Sequence, residues 1–198
     1  MGTPTATNIM KSGAIVYYAA LGEALPDETT VAARASWGGN WTRIGFTGSP
    51  LVWTIEDERA LINVEEELMA LDEHRISFNS MLKTEMAEIT GDHLALLLGG
   101  TVSTTAAGAS QKGYEELDID PTSLLTKYIV GFEGERIIAD GSTQPLRVFA
   151  EKMTWKVAGD VTFTKKSDTY VKLPIEARIL KGTNYALRFQ RVTAAATS

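Results

Sequence analysis

Two runs of strict alternation, separated by a block of acid, constrain this chain more than any other feature in it. Leu51, Trp53 and Ile55 alternate with Val52, Thr54, Glu56 and Glu58, the two-residue period of a strand with one buried face. Ile76, Phe78 and Leu82 repeat the pattern against Ser77, Asn79, Met81 and Lys83. Asp57, Glu58, Glu65, Glu66, Glu67, Asp72 and Glu73 concentrate negative charge between and beside them, relieved mainly by Arg59 and Arg75. The expectation is a pair of long strands with one buried and one acidic face, and such a face repels polyanions.

A length of 198 residues suits one domain with a sizeable core, and 17 glycines among scattered polar loops argue against an all-helical chain. The net charge of -6 disfavours sequence-independent clamping of nucleic acid, because that binding is driven by Lys and Arg replacing counterions. With no cysteine there can be neither disulfides nor thiolate metal sites nor a cysteine nucleophile. The absence of a signal-like start and of a long apolar run leads us to expect a protein made in the cytoplasm without membrane insertion.

Along the chain, residues 1–10 read as a mobile arm, 14–20 as a strand, and 22–30, with Pro26 and Asp27, as a loop. Trp37, Trp41 and Phe46 among Gly38, Gly39, Gly45 and Gly48 suggest a packed loop. Thr90 or Asp92 can cap a short helix over 94–98 that Gly99 and Gly100 end. Residues 101–113, rich in Thr, Ala, Ser and Gly, read as an exposed loop. Strands are expected at 124–132, 136–138, 146–157, 161–164 and 171–180, with a last one through Tyr185, Leu187 and Phe189; Gly159-Asp160 is read as a hairpin turn. The layout is therefore one domain over 11–192, with long loops near 57–75 and 99–123 and a small-residue tail at 193–198.

Signatures of catalysis are missing: no phosphate-binding loop, dinucleotide fingerprint, zincin helix or nucleophile elbow. His74 and His93 sit among carboxylates but read better as surface or structural residues than as ligands or acid/base groups. Asp118 and Asp120 lack the offsets of a calcium loop and read as a turn before Pro121. Asn40-Trp41-Thr42 matches a glycosylation acceptor that carries no weight in an unsecreted chain. We expect no enzyme, no cofactor and no metal.

The order of features resembles the major tail tube protein of long-tailed bacteriophages. The matching elements are the strand at 14–20, the Pro26-Asp27 loop, Trp41-Thr42-Arg43-Ile44-Gly45, and Trp53-Thr54-Ile55-Glu56-Asp57-Glu58 with its long excursion. They continue through Thr84-Glu85 before the helix, Phe163-Thr164-Lys165-Lys166 and Val171-Lys172-Leu173-Pro174-Ile175. The resemblance implies a mainly β fold, a sandwich or barrel of two packed sheets with one short flanking α-helix. It further implies homo-hexameric rings stacked into a virion tail tube that carries double-stranded DNA in transit. The partners it implies are a tape-measure protein, a tail terminator and distal tail or baseplate proteins.

On that resemblance Glu56, Glu58, Glu65, Glu67 and Glu73 become candidates to face the lumen. Leu61, Ile62, Val64, Leu68, Met69 and Leu71 become candidates for ring stacking, since apolar residues on a projecting loop need a neighbour to cover them. Their alternative is packing on their own domain. Three other functions compete: the inner tube of a contractile tail or secretion machine, a monomeric β-sandwich with Trp37, Trp41 and Trp53 around a ligand, and a hydrolase using two of the clustered carboxylates.

Overall fold

A computed structural model describes residues 10–62, 69–122, 124–137, 141–161 and 170–192. The elements run β1 (Met10–Ala20), β2 (Thr42–Arg43), β3 (Val52–Ile62), β4 (Asp72–Met86), α1 (Gly91–Leu98), β5 (Thr101–Thr105), β6 (Tyr114–Asp118), β7 (Tyr128–Ile137), β8 (Thr143–Val157), β9 (Leu173–Ile179) and β10 (Leu187–Arg191). The fold is mainly β with one short helix, as expected. Eight strands form one antiparallel sheet in the order β2-β1-β7-β8-β9-β4-β3, with β10 also on β8, and β5-β6 make a second sheet.

Alternation along β1, β7 and β8 sends side chains to two different cores. Val16, Val130, Phe132, Val148 and Ala150 face the main core, which Leu96 and Leu97 of α1 close from above. Tyr17, Ala19, Ile129 and Phe149 face the other way and are covered by Trp37 and Trp41 from the 22–41 loop. Tyr17 stacks on Trp37 with ring centroids 4.2 Å apart. This half of the sheet is thus covered on both sides.

A register shift between β7 and β8, where Tyr128 pairs Met153 but Val130 pairs Ala150, inserts one extra residue into β8 and reverses its alternation. Met153 and Trp155 consequently join the main core, while Lys156 stays exposed on the other side. Across β8, β9, β4 and β3 that other side carries no covering loop among the described residues.

Beneath the 22–41 loop lies an ion network. Glu133 and Arg147 are cross-strand partners, and Arg147 Nε donates to Glu133 Oε2 at 2.6 Å with both side chains buried. The Arg147 guanidinium also reaches Glu28 Oε2 at 2.7 Å and the Val31 carbonyl at 2.8 Å, and Trp37 Nε1 donates to Glu133. The loop is therefore held by charge as well as by aromatic packing.

Several sequence expectations are corrected. Residues 101–113 are not simply a loop: β5 occupies Thr101–Thr105 and pairs with β6, and within the stretch expected as a loop near 57–75 residues 57–62 and 72–75 are paired strand. Residues 128–137 are one strand, because Gly131 makes room for a neighbour and does not end the element. The partner strand of the hairpin expected at Gly159-Asp160 lies outside the described residues from 162 on, and β8 pairs with β9, which begins at Leu173. Met10 of β1, assigned to the arm, pairs with Arg136 of β7; residues 1–9, residues 162–164 of the strand expected at 161–164, and the 193–198 tail lie outside the described residues.

The helix follows its sequence signals. Thr90 is the N-cap, its side chain accepting from the His93 N–H, and Gly99, with φ at 77°, ends it.

Candidate functional site

Strands β3 and β4 pair antiparallel from Val52↔Lys83 to Ile62↔Asp72, so the expected pair of long strands is a continuous hairpin. Only its base is anchored. Leu82 and Met86 lie in the core, and Trp53 packs against it while Nε1 donates to Ser80 Oγ at 2.8 Å. Farther out neither face is covered: Ile55 is 48%, Leu61 63%, Ile76 56%, Met69 81% and Leu71 61% exposed. The buried face predicted from the alternation thus ends after Trp53, and the outer apolar positions point into solvent.

A register shift after Glu58 sets the charges on the hairpin. Asp57 accepts from Arg59 Nη2 at 2.7 Å and from Arg75 Nε. Those bonds, Arg75 first and Arg59 second, hold the Asp57 carboxyl below its ordinary value. Arg75 also lies over the Phe78 ring at 5.2 Å, and Arg59 approaches Glu73 at 3.6 Å. On this face Asp57 and Glu73, two members of the acid block, are thus offset by Arg59 and Arg75.

Glu56 and Glu58 turn to the opposite face, where Glu58 accepts from Ser77 Oγ at 3.0 Å. Glu73 keeps company with Arg59 and Asp57, so the lumen candidates do not share one face. Glu65, Glu67, Val64 and Leu68 lie outside the described residues. Leu61, Ile62, Met69 and Leu71 are all exposed, so packing on their own domain does not account for them.

The face carrying Glu56 and Glu58 continues over β4, β9 and β8. Successive cross-strand pairs place Val52, Lys83, Glu176 and Lys156 in one row and Thr54, Met81, Arg178 and Thr154 in the next. Its charges include Glu56, Glu58, Glu85 and Glu176 as well as Lys83, Arg178 and Lys156, a mixed set in place of the acidic surface expected. Glu176 is buried, and its oxygens sit 3.4 Å from Lys83 Nζ and 3.1 Å from Lys156 Nζ. Burial works against its charge, but the hydrogen bonds and charges of Lys156 and Lys83 prevail and leave the carboxyl below its ordinary value. Sequence reading missed this triad because its members become neighbours only through pairings among three strands.

The remaining candidates do not form a site. Trp37 and Trp41 are buried between the 22–41 loop that carries them and the sheet, and Trp53 lies on the opposite core, which removes the shared ligand pocket proposed for them. His93 is buried in the first turn of α1, its Nδ1 3.0 Å from the Glu88 carbonyl, and His74 is exposed opposite Ala60. Asp120 accepts from the backbone and hydroxyl of Thr122, the turn expected there. Among the described residues no three His, Asp or Glu side chains are arranged to hold a metal ion, and no helix is long and apolar enough to cross a membrane. A depression of about 210 Å³ lies beside the hairpin base, lined by Phe78, Ser80, Ile179, Leu180, Lys181 and Ala186.

A family model described as phage tail tube protein matches residues 1–196. No curated protein matches the chain.

Proposed function

The chain belongs to the phage tail tube protein family, and from that premise we propose that it is a structural subunit whose copies assemble into hexameric rings stacked as a tube for genome delivery. The observation that carries this reading is the β3–β4 hairpin, whose apolar residues Ile55, Leu61, Ile62, Met69, Leu71 and Ile76 lack cover in the protomer. A projecting patch of this kind is stable in solution when a second copy buries it. The hairpin is accordingly the ring-stacking element, with Leu61, Ile62, Met69 and Leu71 as its contacts.

The uncovered sheet face bearing Glu56 and Glu58 is the side we assign to the bore. Duplex DNA passes over it without a net electrostatic hold, since its acids offset its bases. A tape-measure protein, a terminator and distal tail proteins would occupy the bore and ends of the assembled tube. The subunit performs no chemistry.

Negative-stain electron microscopy across a concentration series, with light-scattering mass on the same samples, tests the assembly. Six-membered rings or hollow tubes are expected. A monodisperse monomer at every concentration, with or without tail fragments as initiator, would overturn it.

A further inference from the structure

We propose that Glu176 is the residue that stops the open sheet face from binding DNA, by occupying Lys83 and Lys156. The inference rests on the reading that this face lines the bore. Each oxygen of Glu176 holds one ammonium, at 3.4 Å and 3.1 Å, and the Glu176 side chain is itself only 9% exposed, fixed between its two partners in the sheet. Both lysine side chains are about half exposed, 48% and 56%, so without Glu176 they would be available to phosphate.

Lysine binds a nucleic acid by replacing its counterions, and a lysine already paired to carboxylate must surrender that partner first. The face interleaves the acids Glu56, Glu58, Glu85 and Glu176 with the bases Lys83, Lys156 and Arg178. Removing Glu176 leaves Lys83 and Lys156 without their shared carboxylate in each subunit, repeated around every ring. Glu56 and Glu58 cannot substitute for it, because they lie on β3 in other rows, opposite Asn79 and Ser77. The buried carboxylate is therefore a charge mask set between two cations that the sheet places on either side of it.

The test uses soluble protomer and a short random-sequence DNA duplex, read by fluorescence anisotropy over a salt series. E176Q is expected to bind at least about tenfold more tightly than the parent, with a salt slope steeper by roughly 0.9 for each freed lysine. The triple variant E176Q/K83Q/K156Q should return to the parent's affinity. Should E176Q fail to fold, Glu176→Thr, which suits a strand, carries the same comparison. A folded E176Q that binds DNA no better than the parent, or a triple variant that still binds as E176Q does, overturns the proposal.

The bore assignment is tested separately. Because the chain has no cysteine, Asn79→Cys places a single thiol on the same face as Glu56. Labelling of assembled tubes by a small maleimide but not by one carrying a bulky protein supports the bore. Labelling by both puts the face outside and overturns the conduit role while leaving the protomer's DNA affinities as measured.

Discussion

Arg147 has no exposed side-chain surface, and it answers to two carboxylates, Glu133 and Glu28, beneath the 22–41 loop. Removing one member of a buried ion cluster leaves an uncompensated charge, which costs more than the cluster contributes to stability as a whole. Arg147→Ala should therefore lower unfolding free energy by about 3–5 kcal/mol in a urea titration, and Arg147→Ala with Glu133→Gln should recover part of that loss. Glu28 is the weaker partner. Burial pushes its carboxyl above the ordinary 4.5, more than Arg147 draws it down, with the charges of Glu133 and Asp27 adding to the rise. A carboxyl raised in the folded state binds protons more tightly there than in the unfolded chain. The stability it supplies is present below 4.5 and is lost as pH rises through the raised value. The difference in unfolding free energy between the parent and E28Q should consequently fall as pH climbs from about 4 through the mildly acidic range. A difference that stays flat over that range would show Glu28 to be solvated.

At the scale of elements, signals confined to a few neighbouring residues were legible and those set by distant pairing were not. Helix α1 was readable because its cap, its apolar run and its terminal glycines fall within eleven positions, 90–100. Thr90→Ala should cost about 1 kcal/mol by thermal or urea unfolding, as the His93 N–H loses its acceptor. The β3–β4 alternation was equally plain, but where its buried face would end was not, since that depends on how far α1 and the neighbouring strands reach. β5 and β6 escaped notice because each offers one inward apolar residue, Val102 and Leu117, paired across the hairpin. Two such residues make no period. β7 read as two strands because its glycines look like breaks, yet a Cβ at Gly131 would sit 2.6 Å from the Trp37 ring, so the glycine serves packing between strand and loop. The acidic face was misjudged for a related reason. Composition counts charges, whereas pleating divides Glu56 and Glu58 from Asp57, and sheet register brings Lys83 and Lys156 to Glu176.

For the whole molecule, the sheet divides into a half buried on both sides, around β1, β7 and β8, and a half that presents an open face and a projecting hairpin. Folding stability and assembly should be separable along that division. Leu61 and Leu71 are 63% and 61% exposed, so replacing both by Ser removes little that the folded protomer uses. Exposed substitutions away from buried networks change stability by only about 0.5 kcal/mol. In a stacked tube the same side chains would be covered, and each buried Leu is worth roughly 1.5–3 kcal/mol. Leu61→Ser with Leu71→Ser should then leave the urea midpoint almost unchanged. The protein concentration at which rings or tubes first scatter light should rise by about a hundredfold, the equivalent of roughly 3 kcal/mol. The converse pair of results, an unstable protomer that still assembles at the parent's concentration, would place these leucines against their own domain and move the stacking contact elsewhere. Arg147→Ala provides the counter-case, because it acts on the half of the sheet that the hairpin does not touch. It should weaken folding first and affect assembly only through the fraction of protomer left folded.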